Sequence, residues 1–354
     1  MPPNEFFLSS WIHRANAVTA CRSLANDPSL RGHTMNTSRP RWLQDGMQRV
    51  ENLLLHYAGD SLNTVVSEAS THLIRAGGKR VRPALVLVTS RAGQDGRGGT
   101  DLAAAAIELV HIATLYHDDV LDETDTRRGV PTVHSKWGIE VAVLTGDFLF
   151  ARGSALGAEA GGEVPGILAG AIAEVCEGQI VETGSVGDAR RSVDEYMETI
   201  RRKTAALFRA ACELGAATSD ADPGHRAALC VYGEKLGLAF QIVDDVLDLV
   251  GDPKSTGKIP GTDLREGVYT LPVLMACERE PQLIERLMSG DRELNTIMPK
   301  LESTGALAAS LEMASGLAGD AAIALAELPA SGHRDILEAL IEEVLAQVPD
   351  AAVA

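Results

Sequence analysis

From Trp42 onward, apolar side chains recur at intervals of three and four residues, and clusters of Gly, Pro and Asp break the runs. That spacing predicts helices over about 42–57, 59–76, 82–92, 100–123, 138–158, 165–184, 192–216, 222–250, 268–278, 281–290, 304–326 and 333–347. No stretch alternates with the period of two that a half-buried strand needs. Most predicted loops are short. The exceptions, near 124–136 and 251–267, are rich in charge, Gly and Pro, and each follows an acidic helix end. No boundary sorts the helices into two sets, so the pattern predicts a single all-α domain over residues 41–350. Residues 1–40 show no sustained periodicity and end in the polar stretch Asn36–Pro40. They are expected to form a mobile extension, and Met35 is a second candidate start.

Composition agrees with helices. Hydrophobic residues make up 45% of the chain but aromatic ones only 4%, so Ala and Leu fill the apolar positions that strands would give to Val, Ile and Tyr. The formal net charge of −17 argues against sequence-independent attraction to nucleic acid or anionic lipid. An anionic substrate would therefore need a local basic cluster or metal ions. The five cysteines, Cys21, Cys176, Cys212, Cys230 and Cys277, form no C-x-x-C pair, which fits reduced thiols in the cytoplasm. In the linear sequence no apolar run approaches the roughly 18–20 residues that span a bilayer. The N-terminus also lacks a basic region followed by an apolar stretch. Neither an integral membrane segment nor a nucleic-acid partner is expected.

The informative chemistry is a repeated pentapeptide, Asp118-Asp119-Val120-Leu121-Asp122 and Asp244-Asp245-Val246-Leu247-Asp248. The outer aspartates of each copy are four apart and share one helical face. A single copy could be an ordinary acidic turn. Two copies, each closing an apolar helix and with no interleaved base, point to a shared counter-ion. Carboxylate oxygens suit magnesium, which keeps waters and takes phosphate oxygens as further ligands, and a helix C-terminus favours a cation.

In these motifs the chain resembles the trans-polyprenyl diphosphate synthases, whose signature is two D-D-x-x-D motifs on facing helices. The resemblance runs from about Leu73 to Leu274. It includes Gly77-Gly78-Lys79-Arg80-Val81-Arg82-Pro83, the continuation Glu123–Gly129 of the first motif, Gln241–Asp248, Lys258, Gly261-Thr262-Asp263 and Thr270-Leu271-Pro272. It implies an isoprenoid-synthase helical bundle with a central cavity between the two acidic helices, and a homodimer. It also implies repeated condensation of isopentenyl diphosphate with an allylic diphosphate.

Residue by residue, the resemblance assigns Gly78, Lys79, Arg82, His111 and Arg128 to isopentenyl diphosphate. Arg127, Lys203 and Lys258 fall to the allylic diphosphate. Lys203, Thr204 and Gln241 are placed beside the reacting centre. Asp118, Asp119, Asp122, Asp244, Asp245 and Asp248 are assigned to three Mg²⁺ ions, with Asp118, Asp122 and Asp244 the principal ligands. Taken singly, several of these have plainer readings. Gly78 to Arg82 is a solvated basic loop, His111 a core histidine, Arg127 and Arg128 a neutralising pair, and Arg201-Arg202-Lys203 a charged stripe. Arg80 is left without an assigned role.

Reading back from Asp118, the same-face positions are Thr114 and Ala113, then Val110, then Ile107 and Ala106. Small residues at Ala113 and Thr114, where short-chain members of the family often carry an aromatic ring, leave a product tunnel open. The helix from Asp118 back to Asp101 is about 25 Å long at 1.5 Å per residue, and the helix near Ile167–Gln179 is an alternative source of the tunnel floor. This predicts a medium- to long-chain all-trans product of about C30–C45, with quinone side chains as its destination. A class I terpene cyclase, a short-chain synthase making C15–C20 products, or a non-catalytic partner subunit are the competing readings. The complete second motif, Lys79, Arg82 and Arg128 weigh against the cyclase, and the presence of both motifs weighs against the partner subunit.

Overall fold

The computed structural model describes residues 40–93, 99–251 and 260–348. Lys258 and the expected N-terminal extension lie outside the described residues. Among those described, helices account for nearly all regular structure, and one short antiparallel pair is the sole sheet. The all-α expectation holds. The described chain divides into two compact units, one of residues 40–176 and 206–233, the other of 177–205 and 234–348. Composition gave no sign of this division.

The first unit is organised around the Thr100–Leu121 helix. Its Ala103–Ala106 run is an ideal helix former, and from Ala103 to Ala113 nearly every side chain is buried. A helix apolar all round must be enclosed. Helices Arg41–Gly59, Val81–Thr89, Ile139–Ala160 and Ala206–Thr218 pack against it. At its end Tyr116, fully buried, donates its hydroxyl to the Ala69 carbonyl at 2.7 Å and accepts from the Leu73 amide at 3.4 Å. These bonds fix the Thr64–Arg75 helix, and so the loop after it, against the first acidic motif.

The second unit holds the end of the Val164–Gly184 helix, Val193–Ile200, the acidic end of Pro223–Val250, and six helices from Thr262–Glu266 to Gly332–Leu345. Leu236, Ile242, Val243, Val246 and Leu249 put the acidic helix into its core. Val193–Ile200 starts with a capping box, in which Ser192 and Glu195 satisfy each other's backbone amides.

Four departures from the sequence reading stand out. The short helices Val133–Trp137 and Thr262–Glu266 are too brief for a full periodic signal, and Leu294–Ser303 carries Pro299 inside it, which reads as a breaker. The loop expected at 124–136 contains a hairpin that pairs Thr126 with Pro131 and Arg127 with Val130. The helix expected over 192–216 is interrupted by a π segment, Arg201–Ala205. Finally, Ile139–Ala160 (22 residues) and Val164–Gly184 (21 residues) are long and apolar enough to cross a membrane by length and composition, which corrects the expectation from the linear sequence. Acidic and basic residues such as Asp147, Arg152 and Glu174 break the continuous run, while Ala, Gly and aliphatic residues keep each helix apolar overall. Ile139, Val143 and Leu144 in the first, and Ile180 and Val181 in the second, stand exposed.

Candidate active site

In the first unit a basic cluster forms around one buried carboxylate. Arg80 adopts a left-handed conformation, φ 51°, and is 8% exposed. Its guanidinium makes a fork to Glu51, with Nε and Nη2 each 3.0 Å from a carboxylate oxygen. Nη1 donates to Glu108 at 3.0 Å and Nη2 to the Ile74 carbonyl at 3.0 Å. Every face of Arg80 is thus engaged within the protein, which gives it a structural role. Its neighbours Gly78 and Lys79 are exposed.

Arg82 stacks over Phe208, 4.9 Å from the ring centroid, and its Nε is buried with no hydrogen-bond partner among the described residues. Burial pushes the Arg82 guanidinium down to about 10, and the charge of Arg128 acts in the same direction against that of Glu108. Burial likewise raises Glu108, against the pull of Arg80, Arg82 and Arg128. His111 is held well below the ordinary imidazole range by burial and by the charges of Arg82, Arg128, Arg127 and Arg80, so the ring is neutral. Guanidiniums that crowd one another in this way raise the local positive potential, which a bound anion would relieve.

The hairpin supplies the other two arginines. Its turn residues Arg128 and Gly129 have φ 54° and 75°, the left-handed pair that a tight hairpin needs. Arg128 Nη1 donates to the carbonyls of Leu73, at 3.2 Å, and Gly77. A Cβ on Gly78 would stand 2.8 Å from that guanidinium, so the glycine makes room for it. Arg127 turns the other way and pairs with Asp119. Asp119 is 1% exposed, and its second oxygen, Oδ2, has no hydrogen-bond partner among the described residues. Burial raises the Asp119 carboxyl against the attraction of Arg127. Asp118 is half-buried and Asp122 exposed at the helix terminus.

Ala106, Val110 and Ala113 are fully buried, while Thr114 is half-buried and bonds the His111 carbonyl at 2.7 Å. A Cβ on Gly153 would lie 3.1 Å from the Ala106 carbonyl and 3.2 Å from Val110. That part of the helix therefore abuts Ile139–Ala160 closely.

The second unit carries a second network. Asp244 is exposed, whereas Asp245 and Asp248 are buried. Asp245 accepts from the Tyr196 hydroxyl and from Gln241 Nε2 at 2.7 Å. Gln241 Oε1 accepts from Thr204 Oγ1 at 2.7 Å. Asp248 Oδ2 takes the Asp263 amide at 3.2 Å. Lys203 pairs with Glu182. Burial, followed by the charge of Asp263, drives the Asp245 carboxyl well up. Sequence reasoning missed Glu51, Glu108, Glu182 and Tyr196. Only Glu108, an acid inside an Ala-rich apolar helix, gave a signal.

Among the described residues no three Asp, Glu, His or Cys side chains form a ready-made metal cage. Magnesium takes one or two carboxylates and completes its shell with water and phosphate oxygens. The open Oδ2 of Asp119, beside Asp118 and Asp122 at the end of the first acidic helix, offers donors of that kind.

Comparison with known proteins gives this geometry a family. The polyprenyl synthetase family profile matches residues 63–300. Nonaprenyl diphosphate synthase of Mycobacterium tuberculosis is 37% identical over 308 residues, covering 84% of this chain and 91% of the relative. Decaprenyl diphosphate synthase of Rhodobacter capsulatus superposes with a TM-score of 0.83 at 38% identity, covering 88% of this chain and 98% of its own. A Caulobacter crescentus polyprenyl synthase, solved with calcium and isoprenyl diphosphate, gives 0.81 at 38% identity, covering 86% and 96%. An all-helical prenyltransferase is the class that fold and site define. The chain belongs to the polyprenyl synthetase family.

Replacing Arg80 leaves the Glu108 carboxylate buried without its principal counter-charge. Arg80→Met should lower unfolding free energy by about 3–5 kcal/mol, measured by urea denaturation.

Proposed function

We propose that this enzyme extends an allylic diphosphate by successive additions of isopentenyl diphosphate to an all-trans product of about C30–C45. The observation that carries the reading is the buried Arg82, its Nε without a hydrogen-bond partner among the described residues, together with Arg128 seated on the carbonyls of Leu73 and Gly77 against Gly78. A cyclase acting on one allylic diphosphate has no use for such a second anion site. Isopentenyl diphosphate is taken there by Gly78, Lys79, Arg82, His111 and Arg128.

The allylic diphosphate is assigned to Arg127, Lys203 and Lys258. Asp118, Asp122 and Asp244 are the principal metal ligands, with Asp119, Asp245 and Asp248 supporting them. Magnesium, three ions in all, would supply the positive charge that makes diphosphate a good leaving group. Thr204 and Gln241, already bonded to each other, present oxygen dipoles to the developing allylic cation. The double bond of isopentenyl diphosphate attacks that cation, and proton loss regenerates an allylic diphosphate. We also propose a cytoplasmic homodimer that serves quinone side-chain synthesis. The exposed Ile139, Val143 and Leu144 support self-association, since apolar clusters of this kind are typical of interfaces.

Three measurements test this reading. Asp118→Ala or Asp244→Ala should cut turnover by roughly two orders of magnitude or more with helical circular dichroism intact, and chelator should abolish elongation; full activity in excess chelator would remove the metal assignment. Lys79→Ala or Arg128→Ala should raise KM for isopentenyl diphosphate more than for the primer, and Lys258→Ala should do the reverse. Equal effects on both substrates would mean the residue assignments are wrong. Finally, Phe at Ala113 or Thr114 should stop growth at C15–C20 while isopentenyl incorporation continues, with bulk at Val110 and then Ala106 stopping it later. Chromatography of labelled products reads the order, and an unchanged distribution with both Phe variants would place length control elsewhere.

A further inference from the structure

Lys203 and Thr204 sit in the one π segment among the described residues, Arg201–Ala205, with α-helix on either side. A π turn carries an extra residue relative to an α-helix, and it persists where its surroundings hold it. The surroundings here are a glycine. Gly178, buried on the Val164–Gly184 helix, approaches the π backbone so closely that a Cβ would lie 2.6 Å from the Lys203 nitrogen and 3.0 Å from Lys203 Cα and Arg202 Cβ. Two of those three neighbours are main-chain atoms, which a change of rotamer cannot move. Four residues on, and therefore on the same helical face, Glu182 pairs with the Lys203 ammonium. One face thus seats both the backbone and the side chain of Lys203. On its other side the segment is tied through Thr204 to Gln241 and from there to Asp245.

We infer that Gly178 is a positioning residue for prenyl transfer, setting where the π segment places Lys203 and Thr204. The inference rests on the proposed role of those two residues toward the allylic diphosphate. Adding a methyl group at Gly178 must displace the segment, and through it the ammonium and the hydroxyl, while leaving the isopentenyl diphosphate residues as they are. Gly184, on the same helix, has open space where its Cβ would go and serves as the control.

The test is a double-mutant cycle of Gly178→Ala and Lys203→Ala on the full-length enzyme, with Gly184→Ala alongside. It reads kcat, KM for each substrate, circular dichroism and thermal unfolding. Gly178→Ala should lower kcat roughly 10–100-fold, as ångström-scale misplacement does, with KM for isopentenyl diphosphate unchanged. Gly184→Ala should behave as the parent. In the Lys203→Ala background Gly178→Ala should cost little more, because residues acting through one another are not additive. Unchanged kcat in Gly178→Ala, or losses that simply multiply in the double variant, would overturn the inference while leaving the role of Lys203 standing. Full turnover in Lys203→Ala would instead remove the role on which the inference rests, and the inference with it. If Gly178→Ala does not fold, Glu182→Gln, which frees the Lys203 ammonium from the same helical face, is read in its place: a fall in kcat with KM for isopentenyl diphosphate unchanged supports the inference, and an unchanged kcat overturns it.

Discussion

The first unit depends on the pairing of Arg80 with Glu108. A carboxylate that is 2% exposed persists inside an alanine-rich helix only with a cation against it, because desolvating a lone charge is far too costly. Arg80 meets that need from a left-handed backbone position, with Glu51 completing its hydrogen bonds. The loop that carries it is thereby pinned to the central helix. Gly78 and Lys79 before it and Arg82 after it inherit fixed places, and the leftover positive charge is what the proposed diphosphate substrate would meet. A chain with net charge −17 attracts such a ligand only through a local reversal of sign, and this ion pair anchors that reversal.

The second unit solves a different problem with the same economy of charge. Asp245 is buried beside other acids, and neutral donors, Tyr196 and Gln241, hold it. Among the described residues no arginine is hydrogen-bonded to Asp245 as Arg127 is to Asp119; Arg191 acts on it through charge alone. The second aspartates of the two matching pentapeptides are therefore held differently, Asp119 by a cation and Asp245 by a phenol and an amide. Asp244 stays exposed at the surface of its helix while Asp245 and Asp248 anchor it. The roughly 100° between neighbouring positions separates Asp244 from Asp245; Asp248, on the face of Asp244, is covered instead by the segment whose Asp263 amide it accepts.

The helices and both acidic motifs were legible in the sequence because alanine and leucine at three- and four-residue spacing leave little alternative. What escaped depends on partners distant along the chain. Lys79, Arg80 and Arg82 look alike locally, and only Glu51 and Glu108 separate the structural arginine from its neighbours. Tyr196 carries no local mark of its bond to Asp245, 49 positions away. The π segment is invisible to periodicity, because one extra residue barely shifts a pattern that continues on either side. The hairpin hides for the opposite reason, since two-residue strands are too short to alternate.

That hairpin has a thermodynamic corollary. Arg127 and Arg128 are adjacent, yet one holds the first acidic motif and the other the carbonyls of Leu73 and Gly77. A ligand that draws either guanidinium from its present partner pulls on the backbone of the other across a single peptide bond. If that pull changes the second arginine's affinity for its own anion, linkage requires the effect to be equal in both directions. The two halves of one condensation would then report each other's arrival through a turn of four residues.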